Sequence, residues 1–243
     1  MDKLKELQDV IDRSQNIVFF GGAGVSTESN IPDFRSSDGV YSVTLSRHFT
    51  AEQLVSHTMF ERYPEDFFDF YKKYLLYPDA KPNAAHRYLA RLEQTGKLKA
   101  VVTQNIDSLH EMAGSKKVLK LHGSADRNYC TGCQRFYDLE AFLALAGPVP
   151  HCLDCVNVVK PDVTLYEEPL VMDVFSQAAQ AIQEADLLII GGTSLVVYPA
   201  ASLIQYFQGK NLVVINKTSI LQDKQADLVI EGKIGQVFSK LRQ

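Results

Sequence analysis

Apolar residues recur along the chain with more than one period. Leu4, Leu7, Val10 and Ile11 stand at helical spacing, and the short apolar run from Ile17 to Phe20 follows and stops at Gly21 and Gly22. This predicts helix, strand and glycine turn in succession. Lys99 to Thr103, Asp186 to Ile190 just before Gly191 and Gly192, and Asn211 to Asn216 read as further strands. Helical stretches near Ala84 to Gln94, Val171 to Glu184 and Ala200 to Gln208 alternate with them. Such alternation predicts an α/β fold, a Rossmann-like, mainly parallel sheet with helices on both faces.

Two segments break the pattern: Arg47 to Lys81, rich in aromatics, and Arg127 to Val156, which holds every cysteine. Connections in a Rossmann-like sheet need only be short, so both read as insertions, one helical and one metal-binding, forming a smaller lobe across a ligand cleft. The expected division is a single catalytic domain over 1–243. Its sheet lobe covers approximately 1–40, 82–125 and 157–243, and its small lobe 41–81 and 126–156.

At 243 residues, 46% apolar and 22% charged, the chain can bury one sizeable core. A net charge of -4 gives no global attraction to nucleic acid or to an anionic membrane, so neither is expected as a partner, while a basic protein substrate is compatible. The polar, amphipathic start does not read as a signal peptide, and no apolar run approaches the roughly 20 residues of a membrane span. A cytoplasmic location is expected.

Cys130, Cys133, Cys152 and Cys155 form two Cys-x-x-Cys pairs separated by 18 residues, the spacing of a closed zinc site in a reducing compartment. Four thiolates fill a tetrahedral shell and leave no position for a water. The predicted zinc is therefore structural rather than catalytic.

Gly22 and Gly24 follow a strand, where backbone N–H groups can approach a pyrophosphate. Thr27 stands where a standard dinucleotide fingerprint has its third glycine, so the turn alone leaves open a simple strand-to-helix connection. Ser26 to Ser29 are polar where a helix would start. At the end of the strand from Lys99 to Thr103, Gln104, Asn105, Asp107 and His110 place four polar groups at the mouth of an α/β cleft, more than a buried strand would carry. His122 precedes Gly123 and lies eight residues before Cys130. With the metal shell complete, it is free to act as a base.

The strings GAGVSTESNIPDFRS, TQNIDSLH, KLHG, GGTSLVVYPA and VVINK occur in the order of the sirtuin motifs, and the chain resembles that family over nearly its whole length. The resemblance implies NAD as co-substrate and a structural zinc ion. It implies that Gly22, Ala23, Gly24 and Thr27 line the phosphate and ribose pocket, that Phe34 shields the nicotinamide-ribose carbon and that Arg35 contacts the cofactor. Gln104 and Asn105 would hold the ribose and a water, Ile106 and Asp107 the carboxamide. Gly192, Thr193 and Ser194 would meet phosphate and ribose, Asn216 and Lys217 the adenosine ribose, and Ile234 the adenine. Val163, Thr164, Leu165 and Tyr166 would pair with a substrate backbone as an added strand.

The implied activity is removal of acyl groups from protein lysines, with release of nicotinamide and O-acyl-ADP-ribose. His122 would be the base, and Asn105 and Asp107 would orient the reacting groups. ADP-ribosyl transfer, a non-catalytic NAD-responsive protein and a hydride-transferring dehydrogenase stand as alternatives. Two departures from the family pattern bear on substrate choice. Tyr166, Glu167 and Glu168 replace the commoner Phe-Gly-Glu, placing two carboxylates near the expected peptide groove. Tyr71 is followed by Tyr74 where members that remove acidic acyl groups carry Tyr-x-x-Arg, which favours neutral acyl groups.

Overall fold

The computed structural model describes residues 2–34, 39–40 and 49–242. Helix α1 (Lys3–Arg13) starts at Asp2, whose side chain accepts from the Leu4 N–H, and buries Leu7, Val10 and Ile11. Strand β1 (Ile17–Gly21) follows, then β2 (Leu98–Thr103), β3 (Val118–Lys120), β7 (Leu187–Gly191), β8 (Asn211–Asn216) and β9 (Leu228–Glu231). These six form one parallel sheet in the order β3-β2-β1-β7-β8-β9.

The central strands are buried on both faces, which explains their continuous apolar runs. Ile17, Phe19, Val101, Leu187, Ile189, Val213 and Ile215 pack with α1, with α5 (Ala84–Gln94) and with the C-terminal α9 (Ile234–Phe238). Val18, Phe20, Ala100, Val102, Leu188, Ile190 and Val214 face the other way, onto α8 (Met172–Gln183). Successive side chains on one strand thus supply two cores. The stretch from Ala200 to Tyr206 is 3₁₀ rather than the expected α-helix. Buried Ala200 and Leu203 are three residues apart, the period of that tighter helix. Ser26 to Ser29 likewise start no helix: Ala23–Val25 and Thr27–Ser29 are short 3₁₀ turns, closed by left-handed Asn30.

A third cluster joins both insertions. Helices α2 (Ala51–Leu54), α3 (His57–Arg62) and α4 (Pro64–Tyr74) contribute Leu54, Met59, Phe60, Phe67, Phe68 and Tyr71. The antiparallel sheet β5-β4-β6 (Phe136–Tyr137, Gly123–Cys130 and Val159–Val163) and α7 (Leu139–Leu143) contribute Tyr137, Phe142 and Val159. Phe142 lies 6.2 Å from Phe68 and 6.4 Å from Tyr71, ring to ring, linking one insertion to the other. Strand β6 and Leu165 also belong to this core, although their place in the sequence suggests the sheet lobe. Short α6 (Leu109–Met112) completes the helices among the described residues.

Candidate active site

Every parallel strand of the central group ends at one edge of the sheet. Gly21 is in register with Thr103 on one side and Gly191 on the other, and Gly191 with Ile215. The strand order reverses direction at β1, so the crevice beyond these ends is where an α/β fold takes its ligand. The residues immediately following, from Gly22, Gln104, Gly192 and Asn216 onward, are therefore brought together from four separate segments.

The two glycine turns meet backbone to backbone. Gly24 N–H donates to the Gly192 carbonyl at 2.8 Å and Gly22 N–H to the Gly191 carbonyl at 3.3 Å. A Cβ on Gly24 would stand 2.8 Å from the Gly192 Cα. Glycine is required here for the contact between turns, and these two N–H groups are not free to reach a pyrophosphate as the sequence suggests. Thr27 Oγ1 donates back to the Gly24 carbonyl at 3.0 Å, closing the first turn.

Thr193 is held from two sides. Its hydroxyl accepts from Gln104 Nε2 at 2.9 Å, while Asn216 takes its N–H at 3.0 Å and gives an amide N–H to its carbonyl at 2.8 Å. Asn216 is buried, so its amide shapes the turn that carries Thr193 and Ser194. Lys217 and Ser194 are exposed, and Ala23 is half-buried. Ile234 is a core residue: it is buried in the first cluster, against Gly191, which leaves its side chain no free surface for an adenine. Phe34 and Ile106 pack on the small-lobe cluster, while Arg35 lies outside the described residues.

Around Asn105 the polar groups form one network. Asn105 Nδ2 donates to Ser26 Oγ at 3.1 Å, and Ser26 Oγ donates to Asp107 Oδ2 at 2.8 Å. Asp107 Oδ1 accepts from the Leu109 N–H at 3.1 Å. Burial raises the Asp107 carboxyl above its ordinary value, and these donors and Lys120 oppose the shift. Ser26, buried and central to the network, is the residue that sequence reasoning passed over; its place within GAGVS was the available signal.

The two histidines of this region have opposite environments. His122 is half-buried, and its Nδ1 lies 2.9 Å from the Gln104 carbonyl. A carbonyl only accepts, so Nδ1 carries the proton and the neutral ring keeps its Nε2 lone pair. Burial lowers its pKa, the Gln104 bond partly offsetting the shift. His110 does not line the cleft as expected: it is 1% exposed, packed 4.7 Å from His86 and 6.2 Å from Phe19, and neither ring nitrogen has a hydrogen-bond partner among the described residues.

Beside His122, Thr164 N–H donates to the His122 carbonyl at 3.0 Å. Val163 and Leu165 are buried, Thr164 half-buried and Tyr166 exposed, so side chains alternate as in a strand. The carboxylates of Glu167 and Glu168 are both engaged by neighbouring groups. Glu167 accepts from Thr58, and Glu168 from Leu165 N–H at 2.8 Å, with His57 at 2.9 Å.

The Sγ atoms of Cys130, Cys133, Cys152 and Cys155 all lie within 4.8 Å of one another, and the thiols are free. Gly132 and Cys133 N–H groups point at Cys130 Sγ, and Asp154 N–H at Cys152 Sγ, each at 3.4 Å. Tyr137 Oη–H reaches Cys152 Sγ at 3.3 Å. Converging sulfurs surrounded by donors fit a tetrahedral thiolate zinc site, with Arg135 and Asp154 paired at its rim.

Comparison with known proteins agrees with this arrangement. The family model described as "Sir2 family" matches residues 22–199, from the first glycine turn past the second. A Clostridium perfringens protein named NAD-dependent protein deacetylase is 62% identical over 99% of this chain and 98% of its own. One of the same name from Clostridium tetani is 54% identical over 98% and 96%. Among solved structures, a Sir2 variant with a deacetylated p53 peptide and 3'-O-acetyl-ADP-ribose has a TM-score of 0.89 at 36% identity, covering 97% of this chain and 96% of that one. A Sir2 complex with p53 peptide and NAD+ has a TM-score of 0.86 at 37% identity over 98% and 96%. A cleft assembled at the ends of four parallel strands, beside a four-cysteine lobe, is thus the architecture of a known group of enzymes, and this chain belongs to the Sir2 family.

Proposed function

We propose that the protein removes acetyl and other neutral acyl groups from protein lysines with consumption of NAD, releasing nicotinamide and O-acyl-ADP-ribose. The carrying observation is His122: a ring whose Nδ1 is committed to the Gln104 carbonyl at 2.9 Å presents an unprotonated Nε2 at neutral pH. Relatives named NAD-dependent protein deacetylase support the overall activity.

NAD supplies an electrophilic ribose carbon with nicotinamide as leaving group. Gln104, Thr193 and the two glycine turns hold it, and Asn216 acts by fixing the backbone of Thr193. Asn105 and Asp107, locked together through Ser26, orient the nicotinamide end and the acyl oxygen. With the acyl oxygen bonded to the ribose carbon and nicotinamide expelled, His122 would accept a ribose hydroxyl proton at Nε2, so that this oxygen could attack the acyl carbon; the lysine amine would then leave with a proton and one water would be consumed to give O-acyl-ADP-ribose. Phe34 shields the ribose carbon, Ile106 with Asp107 meets the carboxamide, and Val163 to Tyr166 receive the peptide backbone. Cys130, Cys133, Cys152 and Cys155 hold the zinc, which stabilises the small lobe and takes no part in the chemistry. Tyr74 stands three residues after Tyr71 where members that remove acidic acyl groups carry Arg, so this position offers no cation to an acidic acyl group.

Four free thiols suit a reducing compartment, and we place the enzyme in the cytoplasm. Among the described residues no helix is long and apolar enough to cross a membrane. Incubation with NAD and an acetyl-lysine peptide, followed by mass spectrometry, tests the assignment. Nicotinamide, O-acetyl-ADP-ribose and free lysine in equal amounts are expected. NADH, or ADP-ribose on the peptide, overturns it in favour of hydride transfer or ADP-ribosylation.

A further inference from the structure

Glu167 has φ 76°, in the left-handed region that glycine enters freely and a residue with a Cβ does not. Its carboxylate explains its presence. Oε2 accepts from the Thr58 N–H at 2.9 Å and from the Thr58 hydroxyl at 2.7 Å, at the start of α3. The Thr58 hydroxyl and N–H hold the carboxyl below its ordinary pKa, so the latch is ionised at neutral pH.

The surrounding contacts run the same way. His57 N–H donates to the Tyr166 carbonyl at 3.0 Å, and Tyr166 N–H to the Val55 carbonyl at 3.1 Å, so Ser56 and Tyr166 pair as in a short parallel ladder. Glu168 then bonds His57 Nδ1 at 2.9 Å and folds back onto Leu165 N–H at 2.8 Å and Lys160 Nζ at 3.3 Å. At its other end the segment is tied to the His122 carbonyl through Thr164. The stretch from Thr164 to Glu168 is therefore strung between the base and the first turn of α3.

We propose that Glu167 is a positioning residue for the acyl-peptide: it fastens α3 to the Val163–Tyr166 edge and keeps that edge extended beside His122 before a peptide arrives. This rests on the deacylase assignment above, which makes that edge the peptide's docking strand. Unlatching would leave the segment to be ordered by the incoming peptide, a cost that falls on binding rather than on chemistry. Because the carboxylate is already engaged by Thr58, its part in the groove is to set the shape of that edge.

Three variants test this: Glu167→Gly, which relieves the backbone and removes the carboxylate; Glu167→Gln, whose amide oxygen still accepts from Thr58; and Thr58→Val, which deletes one donor. Expected for Glu167→Gly is a peptide KM raised about tenfold, with kcat and the KM for NAD within about twofold of wild type. Glu167→Gln restores most of the loss, and Thr58→Val adds little to Glu167→Gly. Hydrogen exchange reads the latch without catalysis: the amides of Thr58 and of residues 164–166 exchange faster in Glu167→Gly. Unchanged exchange, an unchanged peptide KM, parallel losses in kcat and NAD affinity, or a Gln variant as impaired as Gly each overturns the proposal. A wild-type enzyme that releases no nicotinamide with the acetylated peptide overturns the deacylase assignment and with it the latch's role in peptide binding, while exchange still decides whether the latch exists.

Discussion

On both faces of the six-stranded sheet, aliphatic strands pack against amphipathic helices, and the polar groups of the cleft sit where the strands end. The small lobe has a three-stranded antiparallel sheet, an aromatic cluster centred on Phe67, Phe68, Tyr71 and Phe142, and four cysteines whose sulfurs converge. The first region holds itself together by burial and holds the chemistry at its edge. The second buries an aromatic core of its own, and its four converging sulfurs, at the end of β4 and in the loops beside it, brace the strands next to Val163 to Tyr166.

The contrast breaks most visibly if the metal site is removed. Cys130→Ser, or chelation, should unfold the small lobe while leaving the parallel sheet protected, since a thiolate zinc site contributes on the order of 10 kcal/mol of apparent binding free energy. Hydrogen exchange resolved by segment, together with zinc content, checks this. Full stability of a metal-free variant would show that the aromatic cluster suffices.

Acid should probe the sheet lobe selectively through His86 and His110. His86 is fully buried, and burial lowers its pKa to about 4, while His110 is also pushed well below its ordinary value. Both are neutral in the folded state, whereas the unfolded chain takes up protons near pH 6.5. Their contribution is therefore complete above about pH 6.5 and is lost as pH falls toward 4, about 3 kcal/mol for His86 alone. Exchange of the sheet amides between pH 7 and 5, corrected for intrinsic rates, reports it apart from thiol protonation.

A smaller effect is expected where the lobe meets its cofactor. Thr193→Val removes the hydroxyl that Gln104 Nε2 and the Leu195 N–H both reach, at 2.9 and 3.2 Å. Leaving those donors unpaired should weaken NAD by about tenfold, or ~1.4 kcal/mol, with little change in stability. Calorimetric titration of NAD measures it.

Much of the sheet lobe was legible because doubly buried strands leave continuous apolar runs, and the cysteine pairs because their spacing is itself geometric. What escaped depends on segments distant in sequence. His110 and His122 look alike in the sequence, yet Phe19 and His86 close around one and the Gln104 carbonyl orients the other. Gly24 is explained by Gly192, Asn216 by Thr193, and Glu167 by Thr58, partners that no local pattern announces. The 3₁₀ turn at Ala200–Tyr206 was missed because its buried positions satisfy both helical periods.

Whether His122 is the base of an NAD-dependent deacylation is decided by single-turnover chemistry of His122→Ala with an acetylated peptide, alongside NAD binding to the same variant. The account predicts NAD binding near wild type and deacylation slowed roughly a hundredfold or more. In the wild type the rate should fall on acidification through a pKa below 6.5, as the burial of His122 requires. A His122→Ala variant that deacylates at the wild-type rate would contradict it.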